Sequence, residues 1–113
     1  MNRIQGSWDD QDWYGTVVFD GRVLDPKRSQ RLRNHSPDGF AWGYAGSGPA
    51  QLALAILLEA GASDAQALAH YQAFKNEFLA AAPNQAALDL KVDVVDWLGT
   101  AEDRMWKRLA GDQ

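Results

Sequence analysis

The chain has no cysteine, so neither a disulfide nor a thiolate metal site can hold it together, and thiol usage says nothing of its redox compartment. It has only two histidines, His35 and His70, and no paired-carboxylate motif, so neither a zinc site nor any cofactor is expected. A long apolar run is also missing. The longest, Pro49 to Leu58, is about half of the roughly 20 residues that span a bilayer, which makes it a buried helix rather than a membrane anchor. Nor is there an excess of positive charge: the formal net charge of −4 works against nonspecific attraction to nucleic acid, while leaving room for a local basic patch. The opening residues are polar apart from Ile4 and Trp8 and show no secretory pattern, which points to a cytoplasmic protein.

What is present is a 113-residue chain of 46% hydrophobic residues, the size of one domain with a single core. Residues 1–12 read as a mobile N-terminal arm, because Asp9, Asp10 and Asp12 resist burial and only Trp8 offers a docking point. A single α+β domain is expected over 13–98, with a C-terminal helical extension over 99–113. Within the domain, Tyr14 to Phe19 is β-branched and aromatic, Asp20-Gly21 favours a type I′ turn, and Arg22 to Leu24 returns antiparallel. Lys27 to Leu32 forms a short helical turn after Pro26, and Phe40 to Tyr44 a second extended piece.

A first long helix begins near Gly48, with Ser47 as its N-cap and Pro49 in its first turn, and stops at Gly61. It is apolar nearly all round except Gln51 and Glu59, the pattern of a helix enclosed by other elements. A second opens on the capping box Ser63-Asp64-Ala65-Gln66 and carries an apolar face of Ala67, Tyr71, Phe74, Phe78 and Ala81. Leu88 to Val95 reads as a brief strand passing into a helical turn. Thr100 to Asp103 then starts a C-terminal helix whose Met105, Trp106 and Leu109 dock on the domain. The fold class is therefore α+β: a β-hairpin or small antiparallel sheet on a buried central helix, with a second amphipathic helix and a C-terminal helix.

The run from Leu32 to Ala55, with its pattern L-R-N-H-S-P-x-G-F-x-W-G-Y-x-G-S-G-P-A-Q-L-A-L-A, and the block His70 to Lys75, H-Y-Q-A-F-K, resemble a family of small uncharacterised domains of bacteria, phages and mobile elements. The resemblance covers about Gly15 to Leu98 and is most specific over Arg33 to Ala55. It implies a compact α+β domain of unassigned role and supplies no catalytic residues.

Four constellations can carry chemistry. The segment GYAGSG at 43–48 places the amides of Gly46, Ser47 and Gly48 at a helix start, where an anion finds donors; it lacks a P-loop lysine, and its glycines equally serve to turn Trp42 and Tyr44 inward. Arg22, Lys27, Arg28, Arg31 and Arg33 hold five of the eleven positive charges, either as a patch for an acidic protein face or for phosphates, or as a solvated loop paired with Asp20, Asp25 and Asp38. Asn34, His35 and Ser36 meet His70, Tyr71 and Lys75 if the loop crosses the second helix, giving an acid–base group; otherwise they organise a turn. Trp42 and Trp97 belong to the core, whereas Trp8, Trp13 and Trp106 either clamp the tails or anchor a partner. Together these favour a noncatalytic protein-binding module using Arg28, Arg31, Arg33, His35, Trp8, Trp13 and Trp106, in the form of an inhibitor of a host defence system. The alternative is a small enzyme or an anion- or nucleotide-binding domain using Gly43 to Gly48.

Overall fold

The computed structural model describes residues 1–11 and 13–111. Four antiparallel strands, β1 (Asn2–Asp9), β2 (Tyr14–Phe19), β3 (Arg22–Val23) and β4 (Leu88–Val92), form one sheet in the order β3-β2-β1-β4. Four α-helices complete the α+β architecture: α1 (Lys27–Leu32), α2 (Ser47–Glu59), α3 (Asp64–Phe74) and α4 (Val94–Leu109). A π-helical turn, Lys75–Leu79, extends α3 and is closed by the Ala80 N–H on the Lys75 carbonyl.

The expected N-terminal arm is instead a strand of the sheet. β1 pairs with β2 through Ile4↔Phe19 and Trp8↔Gly15, and with β4 through Ile4↔Leu90 and Gly6↔Leu88, so it is an inner strand. Its inward positions are Ile4, Gly6 and Trp8, while Arg3, Gln5, Ser7 and Asp9 face water, the alternation of a sheet with one solvated face. Asp12, at the end of that expected arm, and Asp112 and Gln113, at the end of the expected extension, lie outside the described residues.

The β2–β3 hairpin turns at Asp20 and Gly21, both with positive φ (49° and 84°), as a type I′ turn requires. Asp20 is further fixed by its side chain, which accepts from Asn2 Nδ2 and the Arg3 N–H. Phe40 to Tyr44 is not a full strand: a single bridge joins Gly15 to Phe40. The chain then bends so that Trp42 enters the core completely, donating from Nε1 to the Ala86 carbonyl at 2.8 Å. Gly6 and Gly15 make room for it. A Cβ at Gly6 would lie 2.5 Å from Trp42 Cη2, and one at Gly15 would overlap the same ring edge.

Helix α2 is buried from Gly48 to Leu58, enclosed by β2, α1, α3 and the π turn. It begins one residue earlier than expected: Gly46, not Ser47, is the N-cap, and no side chain caps it. Helix α3 has the expected capping box, with Gln66 N–H on Ser63 Oγ and Ser63 N–H on Gln66 Oε1. Phe74, Phe78 and Trp97 cluster where the π turn meets α4, with Phe74 and Trp97 edge-on at 5.1 Å between ring centroids.

Helix α4 runs unbroken through the expected boundary at 98/99 and through Thr100 to Asp103, which is therefore not a helix start. Its N-cap is Asp93, whose carboxylate accepts from Asp96 N–H, and Val94 N–H donates to Asn2 Oδ1, tying the helix to β1. Val94 and Leu98 are buried, but the helix end does not dock as expected: Trp106 and Leu109 are 63% and 67% exposed. Among the described residues no helix is long and apolar enough to cross a membrane.

Candidate functional site

The loop after α1 is built from the inside by one side chain. Gln51, the polar exception in the apolar α2 sequence, is fully buried and uses both ends of its amide. Its Oε1 accepts from the N–H groups of His35 (2.7 Å) and Ser36 (3.0 Å), and its Nε2 donates to Ser29 Oγ (2.9 Å) and to the Arg33 carbonyl (3.1 Å). All four hydrogen bonds of the amide are thereby made, the condition under which a buried polar group ceases to be a liability. Gln30 adds a clasp from α1, donating from Nε2 to the Ser36 carbonyl.

Held in this way, the loop crosses α3, and His35 meets Tyr71: His35 Nε2 lies 2.7 Å from the Tyr71 hydroxyl. Tyr71 is buried and His35 half-buried. Burial first, then the positive charges of Arg33 and Lys75, hold the His35 pKa below its ordinary value, so the neutral ring is favoured. His70 is not part of this group. It is buried on the α3–α4 side, with Nε2 3.6 Å from Glu102 Oε1 and no hydrogen-bond partner of its own among the described residues.

The basic residues nearby spread over α1 and its flanks rather than pairing as expected. Asp20 and Asp25 bond backbone N–H groups, the latter that of Lys27, and Arg22 pairs instead with Glu59 at 3.0 Å. Arg28, Arg31 and Arg33 are exposed, and Arg28 Nη1 reaches the Leu58 carbonyl at 3.5 Å. Of the three, Arg33 lies close enough to His35 to act on its charge.

The glycine-rich segment is closely filled. A Cβ at Gly46 would overlap the Tyr44 ring, one at Gly48 would lie 2.6 Å from Ala41 Cβ, and Gly43, at φ 88°, sits against the Asn84 backbone while its N–H donates to the Leu79 carbonyl. These contacts account for the glycines through close packing of the turn onto α2 and onto the chain after the π turn.

The three tryptophans outside the expected core have different fates. Trp8 packs edge-on against Trp42, with 5.9 Å between centroids, and its buried Nε1 has no hydrogen-bond partner among the described residues. Trp13 and Trp106 are 64% and 63% exposed. A cleft of about 770 Å³ separates α4 from α3 and the π turn, with Phe78, Trp97 and Met105 among its apolar walls and Arg104 and Arg108 at its edge. Gln51 and the full course of α4 are what sequence reasoning missed; a lone amide inside an apolar helix was the available signal for the first, and the Asp93 cap for the second.

No curated protein and no solved structure matches the chain. The model of one family, described as a family of unknown function (DUF6166), matches residues 9–100, so that the inner strand's end, the Gln51-held loop, the glycine turn and the first half of α4 all fall within it, and the chain belongs to that family.

Proposed function

We propose that the chain is a noncatalytic protein-binding module in which α4 is the principal recognition element. The observation that carries this reading is the exposure of Trp106 and Leu109 on the last turns of a helix whose first turns dock through Val94 and Leu98. Tryptophan and arginine are the residues most often found at interface hot spots, and Arg28, Arg31 and Arg33 with His35 offer a second contact to an acidic protein face. The resemblance to domains of bacteria, phages and mobile elements extends the reading to an inhibitor of a host defence system. The experiment is capture from bacterial lysate with the wild-type chain, a Trp106→Ala/Leu109→Ala variant and an Arg28→Ala/Arg31→Ala variant. A specific partner lost with the first variant and weakened with the second supports the reading; equal capture by all three overturns it.

The rival is an anion- or nucleotide-binding site at Gly46, Ser47 and Gly48, favoured by the absence of a side-chain cap on α2. It ranks second because Tyr44 and Ala41 already occupy the space against Gly46 and Gly48. Titration with inorganic phosphate tests it: a saturable shift of the Ser47 amide resonance supports an anion site, and no shift removes it.

A further inference from the structure

We propose that the exposed stripe of α4 is a self-association surface on which a second copy of the chain lays its own α4 antiparallel. The inference rests on the reading of α4 as the recognition element and names its partner.

Val95, Gly99, Trp106 and Leu109 lie on one helix face at the four-and-three spacing of a coiled-coil seam, whose middle position, Glu102, is turned towards His70 of α3. Val95, Trp106 and Leu109 are 63%, 63% and 67% exposed. Gly99 is a notch in this face: a Cβ built there would have no atom within 4 Å. Trp106 stands two turns further on. A twofold axis passing between residues 102 and 103 sets Trp106 of each copy over Gly99 of the other and Leu109 beside Val95, so the largest side chain on the stripe meets its smallest, twice.

Charge selects the orientation and the kind of partner. From Asp93 to Asp103 the segment carries Asp93, Asp96, Glu102 and Asp103 with no basic residue, and from Arg104 to Arg108 it carries Arg104, Lys107 and Arg108 with no acid. A parallel pair would lay like charge on like; an antiparallel pair brings the basic end of each helix to the acidic start of the other. Asp96 and Lys107 lie on the same flank of the stripe, eleven residues or just over three turns apart, and come within reach of each other across the axis at both ends. The existing Lys107–Asp103 pair, 3.1 Å apart and largely exposed, is an i,i+4 contact that contributes little and does not prevent the exchange. A face whose bulk meets its own notch and whose outer flank sets Asp96 against Lys107 is what a second copy requires and what an unrelated partner does not.

The test is sedimentation equilibrium of the full chain from low to high micromolar concentration, with circular dichroism confirming that each variant keeps its helix content. The wild type is expected to dimerise reversibly. Trp106→Ala should weaken the dimer at least tenfold; Asp96→Lys and Lys107→Asp should each weaken it, and the double Asp96→Lys/Lys107→Asp variant should recover most of the loss. A wild-type monomer at every concentration, or a dimer indifferent to all four variants, overturns the proposal. A monomer whose lysate partner is nonetheless lost with Trp106→Ala/Leu109→Ala overturns only the second-copy assignment and leaves α4 as a recognition helix.

Discussion

Trp42 and Trp106 are the same residue in opposite circumstances. Trp42 has no exposed surface: glycines on two neighbouring strands open a slot for its ring, Trp8 packs edge-on against it, and the Ala86 carbonyl takes its N–H. Trp106 has an alanine-sided groove on one flank, lined by Ala65 and Ala69, and open solvent on the other. The difference lies not in the residue but in whether the rest of the chain has been shaped around it. Positions where neighbouring residues have given up their side chains to admit a ring serve folding. A ring left mostly in water is available for something else.

That contrast is broken most severely from the Trp42 side. Trp42→Ala should destabilise the fold by about 3–5 kcal/mol in urea denaturation, since it empties a slot that the two strand glycines cannot close. Gly15→Ala should cost about 1–3 kcal/mol in the wild type through overlap with the ring, yet be nearly neutral in the Trp42→Ala background. A cycle in which the two losses simply add would show that the slot does not exist as described. Next in size is Gln51→Met. It keeps the volume but strands the His35 and Ser36 amides, the Arg33 carbonyl and Ser29 Oγ, so about 2–3 kcal/mol should be lost, together with hydrogen-exchange protection at residues 35 and 36.

The elements that could be read from the sequence are those whose causes are local. Asp20-Gly21 specifies its turn, Ser63 and Gln66 cap α3, and the apolar run after Pro49 can only be a buried helix. β1 was hidden because its middle inward position is Gly6, which breaks the visible alternation of Ile4 and Trp8; the missing bulk is supplied by Trp42, distant in sequence. Thr100 to Asp103 has the look of a fresh helix start, but Val94, Leu98, Ala101 and Met105 keep one face of α4 turned to the body on both sides of Gly99. The site shows the same division. His35, Ser36 and Tyr71 were recognisable as polar residues that would meet if the loop crossed α3, and Gln51 as a lone amide; that Gln51 is what makes the loop cross depends on how α1 packs.

The burial of His35 near Arg33 and Lys75 gives a smaller and pH-dependent effect. Because the folded state disfavours the charged imidazole, the unfolded chain binds the proton more readily between the depressed folded pKa and the ordinary value of about 6.5. Stability should therefore rise with pH through that window, be fully present above about 6.5, and be lost as pH falls below it. Urea midpoints measured from pH 5 to 8 check the sign, and a His35→Asn variant should flatten the curve over that range. A wild-type midpoint that falls with rising pH across the window would mean the neutral ring is not the form the loop holds.

The smallest effect on stability belongs to Trp106, and its smallness is the informative result. Trp106→Ala, studied at concentrations low enough to keep the chain monomeric, should change the unfolding free energy by no more than about 0.5 kcal/mol, since the ring is mostly in water. The same substitution at Trp42 removes the same atoms and is expected to cost several times more. If Trp106→Ala destabilised the monomer by as much as Trp42→Ala, the outer turns of α4 would be part of the folding unit, and a surface reserved for association would have to be sought elsewhere. A near-silent change in the monomer, joined to weaker association, would assign the two tryptophans to separate tasks.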